Sequence, residues 1–91
     1  MKTVVIDCRE MTDRRAAHEY LARKLSFPEY YGHNLDALHD CLGDISEEVC
    51  IVVYRPHEMY ESLGQYAEIM ADVLRMSGEE NPYISVMFES E

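Results

Sequence analysis

The stretch around which this sequence is organised is PEYYGHNLDALHDCL, residues Pro28 to Leu42. Its first half predicts a tight loop, because Pro28 disfavours helical backbone at the residue before it and Gly32 permits a sharp turn. Its second half predicts a helix that begins after Asn34, whose side-chain oxygen can accept a hydrogen bond from a free amide of the first turn. The sequence therefore predicts a loop held directly against the start of a helix.

The helix predicted after Asn34 has an apolar face and an acidic face. The apolar face, expected to pack on the core, consists of Leu35, Leu38, Leu42 and Ile45. The opposite face carries three carboxylates at successive i,i+4 positions, Asp36, Asp40 and Asp44. Like charges at this spacing destabilise a helix by about 0.2–0.5 kcal/mol per pair, and no Lys or Arg lies between Lys24 and Arg55 to offset them. Together with the neighbouring Tyr30 and Tyr31, this acidic stripe is more typical of a protein-binding surface than of a merely solvated face.

Length and charge restrict the class of protein. The 91 residues, 47% of them hydrophobic, are enough for one domain spanning residues 1–91. The chain has 18 acidic and 8 basic residues and a formal net charge of −10. Phosphate groups are bound mainly by Lys and Arg, so this balance argues against nucleic acid or an anionic membrane as a direct partner and favours a basic protein.

The expected setting is the cytoplasm. No window approaches the roughly 20 apolar residues of a membrane span, and the first residues lack the pattern of a signal peptide. The three cysteines form no Cys-x-x-Cys motif, so neither a disulfide framework nor a cysteine zinc site is indicated. We expect a protein of a reducing compartment that is monomeric when free.

Taken in chain order, the sequence predicts alternating strands and helices. The predicted strands are Thr3 to Cys8, Val49 to Tyr54 and Tyr83 to Phe88, the first two buried and the first covered on both faces. Outside the central helix, predicted helices run from a cap at Thr12 or Asp13 to about Leu25, from Glu58 to Leu63, and from about Tyr66 to an end marked by Gly78. In the last helix Ile69 is expected on the inner face. This order is typical of an α/β domain with a three-stranded parallel sheet packed by about four helices.

The chemistry of the chain does not favour catalysis. It contains no glycine-rich phosphate loop, Gly-x-Ser-x-Gly or His-Glu-x-x-His motif, and we predict neither catalytic residues nor a cofactor. His33, Asp36, His39 and Asp40 lie close enough in sequence to suggest a metal site as an alternative. Helical rotation separates His39 from the carboxylates, so the preferred interpretation assigns no metal ligand. His18 and His57 are expected at the surface or the edge of the core.

The central stretch resembles the signature segment of the barstar family, small intracellular inhibitors of barnase-type secreted ribonucleases. The positions that coincide with the family pattern are Pro28, Tyr30, Tyr31, Gly32, Asn34, Leu35, Asp36, Ala37, Leu38, Asp40, Cys41 and Leu42. Two positions depart from it: His39 stands where the family often has tryptophan, and Met76 where an acidic residue joins the family interface. Glu79 and Glu80 lie near Met76 and could replace that acid.

The resemblance implies a function and a site. It implies a protein that inhibits a basic, barnase-type extracellular ribonuclease, with Asp40 in the phosphate position, Asp36 beside a basic residue and Tyr30 stacked on a catalytic imidazole. The predicted partner-binding residues are Tyr30, Tyr31, Gly32, His33, Asn34, Asp36, His39, Asp40 and Asp44. Of the two tyrosines, one is expected to pack under the helix, and the family match makes Tyr30 the one offered to the partner. An interaction module for another basic nuclease, toxin or regulatory protein is the alternative.

Overall fold

A computed structural model describes residues 1–90 and shows three strands and four α-helices in alternating order. The strands are β1 (Lys2–Asp7), β2 (Val49–Tyr54) and β3 (Ile84–Glu89), and the helices are α1 (Arg14–Leu25), α2 (Leu35–Gly43), α3 (Pro56–Leu63) and α4 (Gln65–Glu80). A 3₁₀ turn, Cys8–Glu10, follows β1. The predicted fold, a three-stranded parallel sheet packed by four helices, is confirmed. No helix among the described residues is long and apolar enough to cross a lipid bilayer.

The sheet is parallel throughout, with strand order β1-β2-β3. Parallel crossovers are almost always right-handed, so two crossovers that advance in the same direction place all their helices on the same face. Val4, Ile51 and Val86 are in register on that covered face. On the other face Val5 is 44% and Met87 52% exposed. The prediction that β1 is covered on both faces is therefore wrong, because the direction in which the chain advances leaves one face open.

Two helix boundaries differ from the prediction. α3 begins at Pro56, a residue that suits the first helical position, and α4 continues through Gly78 to Glu80. A Cβ at position 78 would lie 3.2 Å from Val86 Cγ2, so this glycine permits close packing of α4 on β3 instead of ending the helix. Ile69, predicted on the inner face of α4, is exposed.

The core lies between the covered face of the sheet and the helices. Its fully buried members include Ile6, Leu21, Leu38, Leu42, Ile51, Met59, Met70 and Leu74. It also contains His18, which is 1% exposed, so the prediction of a surface or core-edge position for this histidine is wrong. Its two ring nitrogens meet hydroxyl groups from other parts of the chain, a contact that no local pattern around His18 indicates.

Candidate protein-binding surface

The loop of residues 26–33, between α1 and α2, has left-handed backbone at both ends. Ser26 has φ 57° and follows α1, while His33 has φ 55° just before the cap of α2. The sharp turn expected at Gly32 is thus made by the next residue. A Cβ at Gly32 would lie 3.2 Å from Asn34 Nδ2 and 3.4 Å from Ala37 Cβ. A side chain at this position would therefore crowd the Asn34 cap and the first turn of the helix.

Hydrogen bonds fix the junction between this loop and α2. The Ala37 N–H donates to Asn34 Oδ1 at 2.8 Å, which confirms the predicted N-cap, and Asn34 Nδ2 donates to the Gly32 carbonyl at 3.2 Å. His33 Nδ1 lies 2.8 Å from the Tyr31 carbonyl. A carbonyl can only accept, so this ring nitrogen carries the proton. The start of α2 is therefore held at a defined position relative to the loop.

The two tyrosines of the loop point in opposite directions. Tyr30 is 86% exposed, whereas Tyr31 is 4% exposed and belongs to the core. The Tyr31 ring packs on Phe27, with 5.0 Å between ring centroids. This burial agrees with the expectation that one tyrosine packs inside, and it prevents the Tyr31 side chain, included among the partner-binding residues, from reaching a partner directly. Tyr30 is the aromatic side chain that the loop offers to solvent.

The acidic stripe of Asp36, Asp40 and Asp44 lies on the exposed side of α2. Within residues 1–90 no salt bridge reaches any of these three carboxylates. The helix ends at Gly43, and Asp44 follows as the C-cap with its N–H bonded to the Asp40 carbonyl at 3.1 Å. Asp40 and Asp44 thus stand near the negative end of the helix dipole, with no basic residue in the last turn. The helix itself therefore does not stabilise them, and no Lys or Arg of the described residues forms a salt bridge with them.

The C-terminal end of α2 is anchored by Asn81, a buried residue just after α4. Its Nδ2 donates to the carbonyls of Leu42 at 2.9 Å and Ile45 at 3.0 Å, and its Oδ1 accepts from the Tyr83 N–H at 2.9 Å. The last carbonyls of a helix lack partners within the helix. Asn81 supplies such partners from a distant part of the chain and thereby fixes the end of α2 that carries Asp40.

His39 links the acidic helix to α4. Its Nε2 lies 2.8 Å from Glu80 Oε1. The pKa of His39 is raised, first by this hydrogen bond and further by the charges of Glu80, Asp40 and Asp36. Met76 is exposed on α4 one turn before Glu80. The sequence offered Glu79 and Glu80 as replacements for an acid at position 76, and Glu80 is the one that the structure pairs with a residue of α2.

The metal alternative receives no support from this arrangement. Among the side chains of residues 1–90, no group of three or more His, Cys, Asp or Glu is placed to hold a metal ion. His33 is bonded to a loop carbonyl and His39 to Glu80, so the two histidines have separate partners.

An open groove of about 670 Å³ separates the loop from the exposed side of α2. We call it the loop groove; its walls are formed by Leu25, Ser26, Phe27, Pro28, Tyr30, Tyr31, Gly32, Ala37, Asp40, Cys41, Asp44 and Ile45. Tyr30 lines the groove from the loop, and Asp40 and Asp44 line it from α2 and its C-cap. A flat cationic side chain would find a ring to stack on and an acid to pair with in the same groove.

Comparison with known proteins identifies the class of protein. Residues 1–88 match the family described as Barstar (barnase inhibitor), and the chain belongs to the barstar family. Among curated proteins it is similar to one from Bacillus subtilis (strain 168) named "Putative ribonuclease inhibitor YrdF". The two are 37% identical over 81 residues, which cover 88% of this chain and 89% of the relative.

Proposed function

We propose that this protein inhibits a basic ribonuclease of the barnase type by inserting the acidic stripe of α2 into the enzyme's phosphate-binding site. The observation that carries the proposal is the set of three exposed carboxylates, Asp36, Asp40 and Asp44, without a salt bridge in the described chain and beside the exposed Tyr30. Membership of the barstar family and the name of the similar Bacillus protein support the same role.

The chemistry of such inhibition follows from what a ribonuclease must bind. Its active site concentrates Arg, Lys and His to hold phosphate oxygens, and carboxylates on a rigid helix can take the place of those oxygens. In this proposal Asp40 enters the phosphate position and Asp36 pairs with a neighbouring cation. The helix presents no phosphodiester bond, so the enzyme binds it without turnover.

The loop groove gives the proposal a second contact. A catalytic imidazole that enters the groove would stack on Tyr30 and lie near Asp40. The groove already exists in the free protein, and the loop that forms it is held by the hydrogen bonds of His33 and Asn34. A preformed site loses little conformational entropy on binding, which favours slow release.

Long-range electrostatics should speed the encounter. The net charge of −10 attracts a basic enzyme, and oppositely charged partners associate faster than neutral ones, most of all at low salt. An enzyme with its active-site cations covered by carboxylates is blocked for RNA, which needs the same cations.

A second candidate is an interaction module for a different basic nuclease, toxin or regulatory protein. Two observations favour it: Met76 is apolar and exposed where the family interface is acidic, and His39 is paired with Glu80. Both change the charge of the rim around Asp40, which would alter partner choice more than the fold.

The proposal is tested by titrating the purified protein into a barnase-type ribonuclease with a fluorogenic RNA substrate. We expect inhibition at nanomolar to low micromolar concentration, with association that slows as salt rises because charges are screened within about 10 Å at 0.1 M. The enzyme alone at each salt concentration is the control. Absence of inhibition at micromolar concentration would reject the barnase-type target, and capture of another basic nuclease by the same protein would favour the second candidate.

A further inference from the structure

The buried His18 joins three separate parts of the chain. It lies in α1, and its Nδ1 is 2.7 Å from the hydroxyl of Tyr31 in the loop. Its Nε2 is 2.6 Å from the hydroxyl of Tyr66 in α4. Both ring nitrogens are thus occupied by hydroxyl groups from outside α1. Such a contact connects the binding surface with the helical layer behind it.

The two hydrogen bonds of His18 are both fully satisfied only when its imidazole is neutral. A neutral ring has one donor and one acceptor nitrogen, so one tyrosine donates its O–H to the ring and the other accepts the ring N–H. A protonated ring would donate at both nitrogens, and the tyrosine that had donated would lose its acceptor. The same proton would place a charge in a buried site, at a cost that no facing carboxylate offsets among the described residues.

The groups that face His18 explain why the neutral form is favoured. The ring meets the hydroxyls of Tyr31 from the loop and Tyr66 from α4, and His33 lies nearby. The guanidinium of Arg14, on the same helix, lies 4.3 Å from the Tyr66 ring centroid. Burial lowers the pKa of His18, and its electrostatic interaction with the neighbouring His33 lowers it further. None of these groups carries the negative charge that would stabilise a buried imidazolium.

Tyr31 transmits this contact to the surface. Its carbonyl accepts the His33 Nδ1–H at 2.8 Å, and its N–H donates to the Pro28 carbonyl at 3.0 Å. Tyr30 is the adjacent residue, so the direction of its exposed ring depends on where the backbone of Tyr31 is fixed. The hydrogen bond between its hydroxyl and His18 Nδ1 ties the side chain of Tyr31 to α1, where the two rings also pack together at 5.8 Å between centroids.

We propose that His18 is a positioning residue of the binding surface, which through its paired bonds to Tyr31 and Tyr66 holds the 26–33 loop in the conformation that presents Tyr30. The contribution of the loop to binding rests on the proposed function, whereas the effect on the loop itself belongs to the free protein. The two parts can therefore be tested separately.

The first test measures amide hydrogen exchange in the free protein. Tyr31→Phe and Tyr66→Phe each remove one hydroxyl, and Tyr83→Phe, which alters an exposed tyrosine, is the matched control. We expect the Tyr31 amide to exchange about tenfold faster in the first two variants, the equivalent of one lost hydrogen bond, while strand amides such as that of Ile51 are unchanged. Equal exchange of the Tyr31 amide in both variants and the control would overturn the proposal.

The second test replaces the histidine and varies the pH. His18→Gln retains a donor and an acceptor, whereas His18→Leu retains neither, so the glutamine variant should recover part of the protection lost in the leucine variant. In the unaltered protein the protection factor of the Tyr31 amide should fall as the pH decreases below about 6.5. The pKa of His18 is lower in the folded state than in a state with the loop open and His18 exposed, so the open state is protonated first and becomes more populated. This pH dependence should vanish in His18→Gln, and its persistence there would exclude His18 as the cause. If His18→Leu does not fold, Tyr66→Phe and the pH profile decide.

The final test measures affinity for a barnase-type ribonuclease. Tyr66 lies in α4 and is only partly exposed, yet Tyr66→Phe should weaken binding several-fold through faster dissociation, whereas Tyr83→Phe should not. Faster exchange of the loop with unchanged affinity would refute the link to the binding surface. If the unaltered protein fails to bind the ribonuclease, the proposed function fails, and the exchange experiments alone decide the role of His18 in the loop.

Discussion

Replacing Asp40 by asparagine removes one charge from the middle of the acidic stripe and changes the side-chain volume very little. Asp40 is exposed, and among residues 1–90 no cation forms a salt bridge with it. Asp36 and Asp44 are its i−4 and i+4 neighbours. The substitution therefore separates the effect of this carboxylate on the fold from its effect on a partner.

The effect on the fold should be a gain in stability. Two like-charged i,i+4 pairs are removed, each unfavourable by about 0.2–0.5 kcal/mol, and a negative charge near the C-terminal end of α2 is unfavourable by about 0.3–1 kcal/mol. These contributions overlap and are screened by salt, so we expect Asp40→Asn to raise the free energy of unfolding by about 0.5–1.5 kcal/mol. Urea unfolding at low ionic strength measures this change in the free energy of unfolding.

The effect on binding should be opposite and larger. In the proposed complex Asp40 pairs with desolvated cations of the ribonuclease, and removing one member of such a pair costs roughly 2–5 kcal/mol, a loss of about 30-fold to several thousand-fold in affinity. Part of this range comes from measurements on the complex of barnase with barstar. The range therefore describes known complexes of this kind. Asp44→Asn, at the rim of the stripe, should cost under about 1 kcal/mol.

Inhibition titrations with the two variants and with Glu68→Gln complete the assay. Glu68 lies in the first turn of α4, and its substitution changes the net charge by the same amount as Asp40→Asn. An equal loss of affinity in Glu68→Gln would mean that only long-range attraction is involved. Full inhibition by Asp40→Asn would reject the phosphate-site role, and a loss of stability would show that Asp40 has a partner within the free protein.

Three further predictions concern residues around the stripe. Met76→Glu should tighten binding to a barnase-type ribonuclease by about 1 kcal/mol or more if a cation there lacks a partner, and unchanged or weaker affinity in calorimetry would exclude that contact. Glu80→Gln should lower the pKa of His39 toward its ordinary value, because the hydrogen bond to Glu80 is the main cause of the upward shift; a titration by NMR that finds no change would show that the pair does not persist in solution. Asn81→Ala should lower the free energy of unfolding by about 1–3 kcal/mol, since it removes the side-chain donor of the buried Leu42 carbonyl and leaves it the longer bond from the Ile45 N–H at 3.3 Å; a change within 0.5 kcal/mol, roughly that of an ordinary surface substitution, would contradict the anchoring role.

Features set by short-range sequence signals could be predicted. Asn34 caps α2 as expected, because an N-cap depends on a few neighbouring residues and a single hydrogen bond. Asp13, one of two candidate caps for α1, accepts from the Ala16 N–H in the same way. The parallel sheet followed from the alternation of strands and helices, which leaves few topologies possible. The placement of the stripe on the exposed side of α2 followed from helical periodicity.

Features that depend on distant contacts could not be predicted. The burial of His18 requires hydroxyls from Tyr31 and Tyr66, which only the folded chain brings together. Gly78 resembles a helix end in the sequence, but its role is set by the position of Val86 on β3. The open face of the sheet results from the direction of two crossovers, which the apolar character of each strand does not reveal. In each case the deciding partner lies in another element.

Hydrogen bonds hold both ends of α2 in place, while the carboxylates on its exposed face repel one another. Asn34 fixes the first turn and Asn81 the last, each through hydrogen bonds to backbone groups. A helix anchored in this way cannot relieve the repulsion among its carboxylates by fraying or shifting. The repulsion is therefore still present when a partner arrives, and cations that neutralise the stripe remove it. Such an arrangement lowers the stability of the free protein and increases the free energy gained on binding a basic partner. An acidic face that serves only solubility does not require anchors that preserve this repulsion.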